Sequence, residues 1–158
     1  MVWAGITATG KTPLVFVERG VKINAVYYQK HIIREVLDPW ARNHFENRPW
    51  TLQQDWAPSH SAKSTIQLCK RLFPDVWDKE IWPSKSCDLN PMDYSVRSIL
   101  KKKVSTKNYV TVGALKRALV KSWDEITPEQ CSCIIDNFPK RLKACIEAKG
   151  ALFENLLK

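Results

Sequence analysis

Short β-rich runs are confined to the residues up to Trp82, and after Asp93 only helical patterning remains. That change of character limits the fold more than any other feature of the chain. Val2-Trp3-Ala4-Gly5-Ile6 reads as a strand, Gly10-Lys11 as a turn, and Pro13–Glu18 as the alternating hairpin partner that Gly20 closes. From Asn24, residues Val26, Tyr27, Ile33, Val36, Leu37 and Trp40 recur at helical spacing. A break is expected at Asp38, because Pro39 has no N–H to offer. Trp50–Asp55 returns to strand character. Ser59 or Ser61 can cap a following helix whose inner face is Ala62, Ile66, Cys69 and Leu72-Phe73, and Val76–Trp82 makes a further strand. Beyond Asp93, helices are expected over Tyr94–Lys103, Val112–Ile126 and Pro128–Asn137, with Pro139 starting a last one to about Lys149. The order β-β-α-β-α-β followed by helices implies an α/β fold, a mixed sheet with helices packed against it.

The chain's 158 residues suit one domain, and 44% hydrophobic residues with seven Trp exclude disorder. Lys and Arg outnumber Asp and Glu by 25 to 16, a net charge of +9 that favours a polyanionic partner. No apolar run approaches the ~18 residues of a membrane span, and the opening residues do not resemble a secretory signal. Five Cys without framework spacing suit reduced thiols inside the cell. Cys131-x-Cys133 has the wrong spacing for zinc; with Cys145, both are expected to pack in helices. The positive charge is concentrated: between Asp93 and Asp124 there is no acidic residue, but there are Arg97, Lys101, Lys102, Lys103, Lys107, Lys116, Arg117 and Lys121. A second group is Lys140, Arg141 and Lys143. Such clustering suits phosphate-backbone contacts or, more plainly, a solvated helical face.

Two motifs carry the candidate chemistry. Asp55 ends the run Thr-Leu-Gln-Gln-Asp-Trp-Ala-Pro-Ser-His at the close of an expected strand, where ligands of open α/β sheets bind, though a turn Asp is the simpler reading. Asp93 lies in Trp-Pro-Ser-Lys-Ser-Cys-Asp-Leu-Asn-Pro-Met-Asp-Tyr, just inside a helix that Asn90-Pro91 introduces. Either Asp88 or Asp93 could be the structural member. Two carboxylates at the ends of separate elements can serve a hard divalent ion such as Mg²⁺. His60 beside Asp55 reads mainly as a polar residue near a helix start, with a ligand or proton-relay role as the alternative. Gly5 to Thr12 formally matches a phosphate loop, but Pro13 and a strand follow where that motif needs a helix.

Together these motifs resemble the catalytic domain of mariner-like transposases of the Tc/mariner superfamily, Asp-Asp-Asp type, over nearly the whole chain. The resemblance implies a ribonuclease-H-like fold and metal-dependent DNA cleavage and strand transfer, with two Mg²⁺ or Mn²⁺ ions held by three acidic residues. Asp55 would be the second and Asp93 the third, with 37 residues between them, which makes Asp88 structural. The family's first Asp lies on a strand before the one that opens this chain. Residues 1–158 are therefore expected to be one partial catalytic domain without its first strand or its helix-turn-helix DNA-binding domain. The expected partners are transposon-end and target DNA, with a homodimer in the full-length family and no membrane, and the expected location is the nucleus. Arg97, Lys101, Lys102, Lys103, Lys107, Lys116 and Arg117 are the expected DNA contacts. Trp56 stands where the family has a small residue and would crowd the metal; Arg97 stands where relatives carry Trp and would weaken the core behind Asp93. Alone, the fragment is expected to be inactive. The alternative is a non-catalytic or host-adopted DNA-binding module using the basic helices.

Overall fold

The computed structural model describes residues 1–84 and 86–157; Lys85 of the second motif lies outside them. Its elements are β1 (Val2–Trp3), β2 (Ile6–Thr7), β3 (Gly10–Lys11), β4 (Val15–Phe16), α1 (Ala25–Tyr27), a π-helical stretch Tyr28–Leu37, α2 (Asp38–Phe45), β5 (Thr51–Leu52), α3 (Pro58–Ser61) and α4 (Lys63–Leu72). There follow β6 (Asp75–Val76), a second π-helical stretch Met92–Val96, α5 (Arg97–Ser105), α6 (Val112–Asp124), α7 (Pro128–Glu147) and a 3₁₀ turn Glu154–Leu156. The mixed α/β character agrees with the sequence, but the ladders are short. Among the described residues, β1 pairs antiparallel with β4, β2 antiparallel with β3, and β5 parallel with β6, each as a two-stranded sheet. The chain forms two compact units: Met1–Ala4 with Val15–Ser86, and Gly5–Leu14 with Cys87–Lys158.

In the first unit the helical run starts where Asn24 accepts the Tyr27 amide. It continues to Phe45 without the break expected at Asp38, whose backbone is helical. Pro39 lacks an N–H, and a proline ring presses on the carbonyl one turn back. The ladder upstream is widened, so that the Asp38 amide bonds the carbonyl of Ile33, five residues earlier. Widening also changes which side chains point inward. Tyr28, Ile32, Ile33 and Leu37 are buried, recurring every four to five residues; the ordinary helical period selected Ile33 and Leu37 among them, but not Tyr28 or Ile32, and it also selected Val26, which is 73% exposed. Those four pack with Leu68, Cys69, Phe73 and Val76, and burial pushes the Cys69 thiol up to about 11. Neither Ser59 nor Ser61 caps α4: Ala62 holds that position without a side-chain bond, and Ser59 is buried, its carbonyl accepting from Thr65. The strand expected over Val76–Trp82 stops early. Trp77 adds one bond to the Leu52 carbonyl, then Asp78 turns the chain by accepting the amides of Glu80, Ile81 and Trp82.

In the second unit the β2–β3 hairpin turns at Ala8-Thr9, and Gly10-Lys11 belongs to a strand. The Lys11 ammonium donates to the carbonyls of Trp123 (2.6 Å), Asp124 (3.0 Å) and Ile126 (2.5 Å). It thereby closes the C-terminal end of α6, where the helix dipole favours a cation. Trp123 is buried, and its indole N–H donates to the Thr12 carbonyl at 2.8 Å. The phosphate-loop spacing is accidental, as Pro13 implied: Lys11 serves a helix end and β4 follows it. Thr127 opens α7 with a reciprocal capping box to Gln130. This helix runs unbroken through Pro139, where the sequence suggested two. Buried Cys131 and Ile134 precede the proline and buried Ala144 follows it, so one inward face is served by continuity. The Tyr94 hydroxyl donates to the Ile134 carbonyl at 2.6 Å. Cys131 is buried but Cys133 is exposed, since residues two apart do not share a helix face. No described helix is long and apolar enough to cross a membrane.

Candidate functional site

Asp55 does not end a strand. β5 stops at Leu52, and two residues of irregular backbone, Gln53 and Gln54, carry the chain to Asp55. Its placement comes from side-chain bonds: Oδ1 accepts the Ala57 amide at 3.1 Å and lies 2.6 Å from His60 Nδ1. A carboxylate only accepts, so the Nδ1 of His60 carries the proton. The His60 ring packs on Tyr28 with centroids 4.2 Å apart, and the Tyr28 hydroxyl donates to Gln54 Oε1. Tyr28, Gln54, His60 and Asp55 thus form one connected group. Within it the Asp55 side chain is 54% exposed and the His60 side chain 17%. Burial, then the neighbouring Cys69 and Asp55, hold the Tyr28 phenol far above its ordinary range. Gln53 Nε2 is buried without a partner. The Trp56 indole N–H donates to the Trp82 carbonyl at 2.8 Å, joining the first motif to the start of the second.

Asp93 belongs to the other unit. Asn90 builds its turn: Oδ1 accepts the Met92 amide, and the carbonyl accepts those of Asp93 and Tyr94. Asp93 then lies in the first turn of the π-helical stretch, where the helix dipole favours a carboxylate. Its Oδ1 is 3.0 Å from Arg97 Nη2, and the two side chains are 17% and 77% exposed, respectively. Arg97 is thus an exposed partner of Asp93 and takes no part in the core. Val96, which is fully buried, faces inward in its place. Arg141 is likewise no free phosphate contact. Its guanidinium lies 4.3 Å from the Tyr94 ring centroid, donates to the Asp88 carbonyl and pairs with Glu154. Burial raises the Tyr94 phenol, with Arg141 opposing.

The basic stretch divides by use. Lys101, Lys102, Lys107, Arg117 and Lys121 are exposed. Lys103 pairs with Glu125 at 2.7 Å, which holds that carboxyl below its usual range. Lys116 is half-buried and lines a cavity with Arg117, Val120, Lys121, Asp124 and Glu125. Sequence patterning missed Lys11 and Arg141 as organisers, because their partners are distant in the chain and nothing local marks them.

No family model matches the chain. Its curated relatives include the Tcb1 transposable-element transposase of Caenorhabditis briggsae and the Tc1 transposase of Caenorhabditis elegans. Each is 28% identical over 150 residues, covering 95% of this chain and 52% of the relative. The chain thus spans about half the length of the relatives it matches. Among solved structures, the catalytic domain of Mos1 mariner transposase matches with a TM-score of 0.79 at 22% identity, covering 97% of this chain and 74% of that one. The Mos1 paired-end complex with left transposon end matches with a TM-score of 0.83 at 22% identity, covering 97% and 44%. A Mos1 catalytic domain with Raltegravir and Mn gives 0.79 at 21% identity, covering 97% and 76%.

Proposed function

Because the chain is a mariner-like relative of the Tc1 transposases with the fold of the mariner catalytic domain, we propose that it supplies two carboxylates for metal-dependent DNA cleavage and strand transfer. The observation that carries the reading is the built setting of Asp55, an exposed carboxylate oriented by the Ala57 amide and His60. In this reading residues 1–158 are one partial ribonuclease-H-like domain of a nuclear transposase. Full-length chains act on transposon ends and target DNA as a homodimer.

Asp55 and Asp93 are the proposed second and third metal ligands, assigned by motif. Their hard oxygen donors fit Mg²⁺ or Mn²⁺. Among the described residues no three His, Cys, Asp or Glu side chains group as a metal site; in this reading substrate phosphates would add to the two carboxylates. Two such ions, when bound, stabilise the attacking and leaving oxygens of an in-line displacement at phosphorus. The chain's own part is to present the carboxylates, orient Asp55 through His60, and hold backbone phosphates with Lys101, Lys102, Lys107, Lys116 and Arg117.

Mn²⁺ titration followed by paramagnetic resonance tests this. Asp55→Asn and Asp93→Asn should each lose binding; unchanged binding in both refutes the assignment. The exposed lysines favour a second reading, a DNA-binding module without catalysis. Undiminished DNA affinity in chelator, falling steeply with salt, together with no Mn²⁺ binding, would select it.

A further inference from the structure

We propose that Arg97 is a resident counter-cation of Asp93, neutralising the carboxylate until a divalent ion displaces it. The inference rests on the metal-binding role proposed above for Asp93. Arg97 Nη2 lies 3.0 Å from Asp93 Oδ1, four residues along the same helical run. The partners differ in freedom. Asp93 is largely withdrawn from water, whereas Arg97 is 77% exposed. A carboxylate so placed favours a nearby cation, whether a side chain or a metal ion. The exposed arginine can leave readily, because surface pairs of this spacing are weak.

A guanidinium and a divalent ion contend for the same oxygen. Arg97 has five donors and no acceptor, so it cannot join a coordination sphere, and its charge repels an incoming cation. Once released, it is free to donate to a phosphate oxygen in a charge-assisted bond. Metal and DNA then reinforce each other's binding, and by linkage the effect is reciprocal.

The test is Mn²⁺ titration without DNA on the wild type, Arg97→Ala, Arg97→Gln, Arg97→Lys and Asp93→Asn, with folding checked by circular dichroism. Arg97→Gln keeps a long polar side chain in case Arg97→Ala fails to fold. Loss of the guanidinium should tighten Mn²⁺ about twofold, equivalent to about 0.4 kcal/mol, while Arg97→Lys stays near wild type. Unchanged or weaker affinity in the neutral variants, with binding still lost in Asp93→Asn, overturns the proposal and leaves the Asp93 site standing. Binding that Asp93→Asn does not weaken removes the site, and the proposal with it.

Discussion

Replacing Lys11 by methionine keeps an apolar stem and deletes only the ammonium. That group donates to three carbonyls at 2.6, 3.0 and 2.5 Å and lies 5.7 Å from the Trp123 ring centroid. The Asp124 and Ile126 carbonyls lie at and just beyond the end of α6, whereas the Trp123 carbonyl also accepts the Ile126 amide at 3.1 Å. A hydrogen bond involving a charged group contributes about 1.5–3 kcal/mol, but here three bonds share one charge, so their contributions do not add in full. The Asp124 contact is exposed and water can replace it; the Trp123 and Ile126 contacts are partly buried. A loss of about 2–4 kcal/mol is therefore expected. For a chain of this size that lowers the melting temperature by roughly 4–16 °C. Urea denaturation followed by far-ultraviolet circular dichroism measures it. A loss below about 0.5 kcal/mol would be an ordinary surface effect and would refute the role of Lys11 at the end of α6. Lost nucleotide binding at unchanged stability would instead revive the phosphate-loop reading.

Two further outcomes can be checked on the same preparation. Thr127→Ala removes one half of the α7 capping box and should destabilise by about 1 kcal/mol, read as a lower urea midpoint at unchanged slope. Tyr28→Phe deletes the bond to Gln54 and should lose about 1 kcal/mol at neutral pH. Because the folded Tyr28 pKa is raised, its contribution is complete below the unfolded value of about 10 and declines as pH rises through it. The variant, which cannot ionise there, should close the stability gap as pH passes about 10; a gap constant with pH contradicts the burial argument.

What was legible in the sequence depended on how locally each feature is decided. Cys69 and Phe73 lie on a face that helical periodicity identified, and both are buried. Both motif aspartates could be singled out by residue type and context. The bonds that seat them could not: the His60 contact depends on how α3 turns back over Asp55, and the Arg97 contact on which face of a π-helical run turns outward. Pro39 and Pro139 were expected to divide helices, because proline removes a donor. In the fold, a widened ladder accommodates the first, and the second lies within one helix whose buried residues fall on both sides of it. Lys11 and Arg141 carried no local signal, since each acts on carbonyls or rings far along the chain.

The interleaving of the two units has a consequence for synthesis. Lys11 meets its first carbonyl 112 residues further on, and Thr12 waits as long for Trp123. At ribosomal speeds of about 5–20 residues per second, that gap lasts roughly 6–22 s. Throughout it the β2–β3 hairpin has emerged without the helix that completes it, while residues 15–86 can already collapse. No single cleavage of the chain separates the units either, because each is assembled from two stretches of sequence. The nascent chain thus holds its place open for a helix still to be translated.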